Sequence, residues 1–324
     1  MHFLSPLLFL FTAFFGCTSS VSDSVRFLAV GDWGGLEFLP YKTPVESSVA
    51  NRMGKVADTI HAQFVVALGD NFYFHGVKDV DDKRFQETYE DVFTAKSLMV
   101  PWYVCAGNHD HYGNASAEIA YSQRSKRWNF PDFYYTRSWN IPGTSQEVQL
   151  VLLDTVLLCG NTEADHVLDS QPKGPQSPSA AEAQWQWLEK TLKESQAHYL
   201  LVGGHFPVWS IAEHGPTRCL VDRLKPLLEK YRVNAYLSGH DHNLQHLKEA
   251  NSTVEYFVIG AGAYVEDNTQ HKPSVPKGSS LFYWANPWHY GGFATVQAST
   301  SSMNITFVDA EGSSLYSRSL HPRN

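Results

Sequence analysis

Five strand-like runs in this 324-residue chain end alike, in glycine followed at once by a side chain able to bind a metal. They are LAVGD at Asp32, VVALGD at Asp70, YVCAGNHD at Asn108 and His109, LLVGGH at His205, and YLSGHDH at His240 and His242. In α/β sheets the chain turns sharply after a strand and active-site groups gather at the carboxyl ends, where glycine lets the backbone approach a ligand closely. The five endings therefore point to strand-and-helix units that share one site. Each alone has a plainer reading. Asp32 could cap a turn or a helix, Asn108 could be a turn residue, and His205 a hydrogen-bonded core histidine. His240 and His242 share one face of an extended segment, yet a lone His-x-His pair is weak evidence for a metal. Five such endings in one chain are hard to attribute to turn chemistry.

The rest of the chain keeps the same rhythm. VRFLAVG is followed by an amphipathic stretch from about Pro44 to Gln63, FVVALG by KRFQETYEDVF, MVPWYVCAG by ASAEIAYSQRSKRW, and VQLVLLDTVLL eventually by AAEAQWQWLEKTLKESQ. YLLVGG and NAYLSG flank CLVDRLKPLLEKY, and YFVIGAG, FATVQAS and NITFV read as a later cluster of strands. Such alternation predicts an α/β fold rather than separate all-α and all-β halves. HVLDSQPKGPQSPSA breaks the rhythm and reads as an exposed loop. With 43% hydrophobic and 18% charged residues the chain is ordinary globular material, and its net charge of -8 argues against a nucleic-acid backbone as partner. A small anionic substrate stays open, because a local metal charge outweighs the global balance.

The first twenty residues, MHFLSPLLFLFTAFFGCTSS, have the shape of a secretory signal peptide without a basic start. FFGC also admits a lipoprotein cleavage site at Cys17, against which stand three N-glycosylation sequons at Asn114, Asn251 and Asn304. No later stretch is long and apolar enough for a transmembrane helix. Removal of the leader takes Cys17 and leaves Cys105, Cys159 and Cys219. Cys105 lies in an apolar strand-like run and reads as a small buried hydrophobe, so Cys159 and Cys219 are the natural disulfide pair.

Taken together, GDWGG, GDNFY, GNHD, GGH and GHDH resemble the metallophosphoesterase motifs in their purple acid phosphatase form. The likeness runs from about Val25 to the C-terminus, and HFPVWSIAEHGPT and KRFQETYEDVF are similar to the mammalian, tartrate-resistant type. Many metallophosphoesterases place a histidine two residues after the first aspartate, where this chain has Gly34. Purple acid phosphatases supply instead a tyrosine three residues after the second aspartate, here Tyr73, which alone would read as a packed aromatic.

The resemblance implies a two-sheet α/β/β/α sandwich of the calcineurin-like type, with residues 1–20 a signal peptide and 21–324 a single catalytic domain. It implies a dinuclear Fe(III)-M(II) centre. One iron would be held by Asp32, Asp70, Tyr73 and His242, and a second ion, Fe(II) or Zn(II), by Asp70, Asn108, His205 and His240, with Asp70 bridging. Anionic oxygens suit the ferric ion, and imidazole and amide the divalent one. The implied activity is acid phosphatase, with attack of a metal-bound hydroxide on phosphomonoesters, small molecules or phosphoproteins. His109 would donate a proton to the leaving oxygen or hold the phosphate. His214, in SIAEHGP, would be a second active-site histidine, the alternative being a histidine of a surface loop. The expected protein is a monomer with no nucleic-acid partner and no membrane span, lysosomal or secreted. The family also carries a segment over its active site, so Asp165 and Asp169 would hinder substrate until cleavage between about Asn161 and Ser179. Two rivals remain. A phosphodiesterase on the same scaffold is disfavoured by Tyr73, and a binding protein without catalysis by seven intact ligand positions.

Overall fold

The computed structural model describes residues 23–162 and 171–323. Residues 1–20, expected to be a signal peptide and including Cys17, lie outside the described residues, as do Asp165 and Asp169.

The chain enters the first sheet with β1 (Val25–Val30), β2 (Phe64–Leu68), β3 (Trp102–Cys105) and the short β4 (Trp128–Asn129). It then builds the second sheet from β5 (Tyr135–Asn140), β6 (Glu147–Leu152), β7 (Tyr199–Gly203), β8 (Ala235–Ser238), β9 (Leu244–Leu247), β10 (Glu255–Ile259) and β11 (Ser280–Trp284). Finally it returns to the first with β12 (Gly292–Ala298), β13 (Met303–Asp309) and β14 (Ser314–Leu320). Each sheet has seven strands, ordered β14-β13-β12-β1-β2-β3-β4 and β11-β9-β10-β8-β7-β6-β5. Each has a parallel block: β1 to β4, running out to one edge, in the first, and the central β6, β7, β8 and β10 in the second. Strands such as FVVAL and YLLVG are buried throughout, as continuous apolar runs of parallel strands require.

The main core lies between the sheets, with Leu28, Val66 and Phe293 from the first meeting Leu150, Leu201, Leu237 and Phe257 from the second. Helix α1 (Pro44–Ile60) joins that core through Val49, Met53 and Ala57, and its start is fixed by Pro44 and a Thr43–Glu46 capping box. A smaller cluster under α5 covers the outer face of the second sheet. Between α1 and α5 come the short helices α2 (Asn108–Tyr112), α3 (Ala115–Tyr121) and α4 (Thr155–Cys159); α5 is Pro178–Glu194 and α6 Lys225–Lys230. The result is the α/β/β/α sandwich.

Two stretches differ from their helical reading. The helix in ASAEIAYSQRSKRW stops at Tyr121, because the Ser122 hydroxyl bonds both N–H and C=O of Phe130 and Arg127 reaches Glu90 and the Phe93 carbonyl. KRFQETYEDVF and the first half of CLVDRLKPLLEKY form π-helical turns, Phe85–Glu90 and Leu220–Leu224. Cys105 is fully buried with its Sγ facing the Ala67 carbonyl, and Cys159 and Cys219 form a disulfide with Cα atoms 5.8 Å apart. The three sequon asparagines are all exposed.

Register decides where the site sits. Leu68 pairs with Cys105 across β2 and β3, and Gly203 with Leu237 across β7 and β8, so the glycine endings line up at one edge of each sheet. There the sheets touch: the Gly31 N–H donates to the Ile259 carbonyl at the end of β10.

Candidate metal centre

From the first sheet come oxygen donors. Asp32 and Asp70 follow β1 and β2 with left-handed backbones (φ 58° and 51°), which turn both carboxylates into the gap between the sheets. Asp32 accepts from the Tyr73 hydroxyl at 3.0 Å and from the His240 N–H at 2.9 Å. Asp70 accepts from the His109 N–H at 3.0 Å and lies 3.3 Å from His205 Nε2. Asn108 Oδ1 is 2.9 Å from that same Nε2. The glycines before the donors leave room for them: a Cβ on Gly107 would stand 2.1 Å from Asp70 Oδ1. Gly34 decides a larger question. A Cβ there would meet the Asp70 carbonyl oxygen at 2.7 Å and the Phe72 nitrogen at 2.6 Å, all backbone, so no side chain can stand at this position. A histidine two residues after Asp32 is thus incompatible with this loop, and Tyr73 reaches Asp32 instead.

From the second sheet come imidazoles. His205 Nδ1 donates to the Leu68 carbonyl at 2.9 Å, which leaves Nε2 facing Asp70 and Asn108. His242 directs Nε2 to the Tyr73 hydroxyl at 2.9 Å, while its Nδ1 lies 3.2 Å from Glu266. His240 sits between His205, which meets it edge-on, and His214, tilted against it, with centroids 5.0 and 4.0 Å away. An imidazole whose far nitrogen is tied to a carbonyl or carboxylate is the arrangement of a metal-bound histidine. Donor atoms of Asp70, His205 and His240 lie within 4.8 Å of one another, and all three residues are buried.

Charge in the cluster is balanced only by distortion of its protonation. Burial and the Asp70 charge push Asp32 up to about 7, against the pull of His205 and His242. Burial opposes charge on His205, yet Asp70 raises it to about 9. Against the same opposition Glu266 and Asp32 raise His242 to about 10. Burial and the surrounding imidazoles drive His240 well below its ordinary value. Buried carboxylates thus draw protons onto side chains that would otherwise be neutral ligands. Cations at the centre supply that positive charge and free the imidazole lone pairs, so the donor set fits metal ions.

A family model for calcineurin-like phosphoesterases matches residues 25–244. Over 303 residues the chain is 50% identical to the tartrate-resistant acid phosphatase type 5 of Oryctolagus cuniculus, covering 93% of this chain and 92% of that one. The chain belongs to the calcineurin-like phosphoesterase family. Its identity to the Homo sapiens protein of the same name is also 50%, with the same coverage. With purple acid phosphatase 4 of Arabidopsis thaliana it is 32% over 301 residues, covering 90% and 82%. Among solved structures, GAP50 of Plasmodium superposes with a TM-score of 0.77 at 22% identity, over 93% of this chain and 90% of that one. Purple acid phosphatase PPD1 of Lupinus luteus gives 0.62 at 18%, over 93% and 54%. At those identities the likeness is one of fold. As a calcineurin-like phosphoesterase the chain is an enzyme, in the branch of the acid phosphatases.

All seven candidate ligand positions of this phosphoesterase meet in one cluster, six of them buried and His242 partly so, and both further histidines stand beside it. His109 Nδ1 bonds the Phe74 carbonyl at 2.8 Å and its Nε2 lies 3.8 Å from Asp70 Oδ2. His214 is no loose loop histidine: Asp241 Oδ1 accepts from its backbone N–H at 3.0 Å and holds its Nδ1 at 2.8 Å. Three supporting carboxylates escape a reading of the sequence. Asp241 holds His214. Asp110 accepts from Gly107, Asn71 and Phe72 N–H at 2.7, 2.9 and 3.1 Å, tying two donor loops together. Glu266 backs His242. Asp241 and Asp110 lie inside the motifs GHDH and GNHD, which offered a signal, whereas Glu266 in YVED offered none.

Proposed function

We propose that this phosphoesterase is an acid phosphatase that hydrolyses phosphomonoesters at a dinuclear Fe(III)-M(II) centre, M being Fe(II) or Zn(II). The observation that carries this reading is Tyr73, whose hydroxyl stands 3.0 Å from Asp32 and 2.9 Å from His242 where Gly34 bars a histidine. Asp32, Asp70, Tyr73 and His242 would hold the ferric ion, and Asp70, Asn108, His205 and His240 the divalent one. When bound, the two ions neutralise the phosphate and lower the pKa of water that serves as nucleophile.

The chain's own groups handle orientation and protons. Phe74 O fixes His109 so that Nε2 faces the site, from which it can carry a proton to the leaving oxygen. Against burial, Asp241 raises His214 above its ordinary value and fixes its ring, which can then donate to a phosphate oxygen. An apolar, leader-like N-terminal sequence, exposed sequons and a disulfide support residence in the secretory pathway, lysosomal or secreted.

The test is a visible spectrum with metal analysis and turnover of an aryl phosphomonoester, on wild type and Tyr73→Phe. A phenolate-to-iron band that disappears in Tyr73→Phe is expected. An unchanged band in the variant removes Tyr73 from the centre, and hydrolysis of diesters in preference to monoesters rejects the substrate class.

A further inference from the structure

KRFQETYEDVF contains none of the seven ligand positions, yet it braces two loops that do. Arg84 is 4% exposed, and its guanidinium joins the Gly34 loop to the Tyr73 loop. Nη1 donates to the Tyr73 carbonyl and, at 3.4 Å, to that of Gly76, while Nη2 donates to the Gly34 carbonyl. All three acceptors are backbone oxygens. The guanidinium also lies 5.4 Å from the centroid of the Phe72 ring, which is fully buried. Thr88, from the same stretch, donates its hydroxyl to the Tyr41 carbonyl at 2.7 Å and so holds the far side of the loop that follows Gly34.

The backbone around Tyr73 is tied from other sides as well. Its N–H donates to the Gly34 carbonyl at 3.1 Å, and the Phe74 N–H donates to Glu37 at 3.0 Å. The next carbonyl along, Phe74 O, holds His109 Nδ1 at 2.8 Å. The segment anchored by Arg84 therefore carries both the phenol that meets Asp32 and His242 and the support of His109. A buried guanidinium is costly to desolvate. Set against carbonyls of two loops, its planar fork fixes two peptide groups at once, which a single ammonium does not do.

We infer that Arg84 is a positioning residue for the metal centre, locking the Gly34 and Tyr73 loops together and so setting the direction from which the Tyr73 oxygen meets the ferric ion. The inference rests on the reading of Tyr73 as an iron ligand.

The test compares Arg84→Lys with Arg127→Lys in the metal-loaded full chain. Arg127 is likewise a buried guanidinium, 7% exposed, but it donates to the Tyr89, Glu90 and Phe93 carbonyls and to the Glu90 carboxylate, so its replacement controls for stability lost away from the Gly34–Tyr73 pair. In Arg84→Lys the phenolate-to-iron band should move in wavelength. Iron affinity, read by competition with a chelator, should weaken about tenfold, the low end for a partner that orients a ligand. Hydrogen exchange at the Tyr73 amide should quicken about tenfold or more as the loops come apart locally. Arg127→Lys should keep the wild-type band, iron affinity and Tyr73 exchange. Wild-type band and exchange in Arg84→Lys, or equal changes in both variants, overturns the proposal. A wild-type protein without the band overturns the iron reading on which the proposal rests, and it is told apart from failure of the lock because the exchange comparison needs no iron. If Arg84→Lys does not fold, the unmutated protein decides: the Tyr73 amide, which lies in no helix or strand, should exchange as slowly as those of β2, and exchange at the rate of an open loop overturns the lock.

Discussion

Asp32, Asp70, Tyr73 and Asn108 follow strands of the first sheet, whereas His205, His240 and His242 follow strands of the second, so oxygen and nitrogen donors reach the site from opposite halves of the sandwich. The halves fix their donors differently. On the oxygen side the backbone does the aiming: left-handed Asp32 and Asp70, a carbonyl-crowded Gly34, and Asp110 clamping three N–H groups. The imidazole side shares that device at His240, whose backbone is also left-handed (φ 71°), but relies on partners for its other two rings, with Leu68 O behind His205 and Glu266 behind His242. Damage should therefore be abrupt on the oxygen side and graded on the imidazole side. Asp70 lies where the halves meet, close to His205 and His109 at once.

Asp70→Ala is accordingly the most damaging change. Both ions would lose a donor, and turnover should fall by about 10⁴-fold or more, since each ion supplies several kcal/mol of charge stabilisation. Metal analysis should show fewer than two ions per chain; a variant that keeps two would remove the bridging role. His109→Ala should do less. On the proposed role it would take away a proton donor or a phosphate contact but no ligand, so turnover should drop about 10²-fold with both ions retained. Wild-type turnover in a metal-replete His109→Ala protein would exclude that role.

Much of this was legible because the chemistry sits at strand ends. A period of apolar runs reports parallel strands, and a glycine before Asp70 or His240 reports the crowding that the structure displays. What sequence hid was everything set by distance across the sandwich. Edge strands β5, β11 and β14 carry alternating or half-exposed patterns with no continuous apolar run, so only their pairing reveals them. Glu266 meets His242 from a loop 24 positions away, with no motif around it. Gly34 is the reverse case: its lack of a side chain was visible, and only the 2.7 Å approach of the Asp70 carbonyl explains why no side chain fits.

At the end away from the site the two halves are tied by one acid. Glu255 on β10 bonds His246 at 2.6 Å and Lys248 at 2.7 Å within its own sheet, and Arg318 on β14 of the other at 2.8 Å. Although burial opposes it, these three partners lower its carboxyl from 4.5 to about 2. A lowered folded-state value means that the stabilisation is complete above about pH 4.5 and is lost as pH falls toward 2. Glu255→Gln should cost about 2 kcal/mol at neutral pH, discounted because Arg318 and Lys248 remain partly in water. Denaturant melts across pH should show the gap between the two proteins closing below pH 4.5; a constant gap would mean that packing, not charge, is what the glutamate contributes.

The smallest change expected isolates the imidazole half. Glu266 lies 3.2 Å from His242 Nδ1 and is half-exposed, whereas the imidazole it faces is mostly covered, against Tyr73 and Asp32. Its charge orients the ring and makes Nε2 a better donor, while every oxygen ligand stays where the backbone put it. Glu266→Gln preserves size and removes the charge that faces Nδ1. Metal affinity at that side should weaken about tenfold, the low end for a supporting partner of a histidine ligand. Chelator-driven metal loss, followed by absorbance and by metal analysis, separates the outcomes. If one ion leaves faster while the other is retained, the imidazole half is the graded one. Simultaneous loss of both ions, at the rate seen in a variant of the oxygen side, would show that the two halves hold their metals as a single unit and would erase the contrast between them.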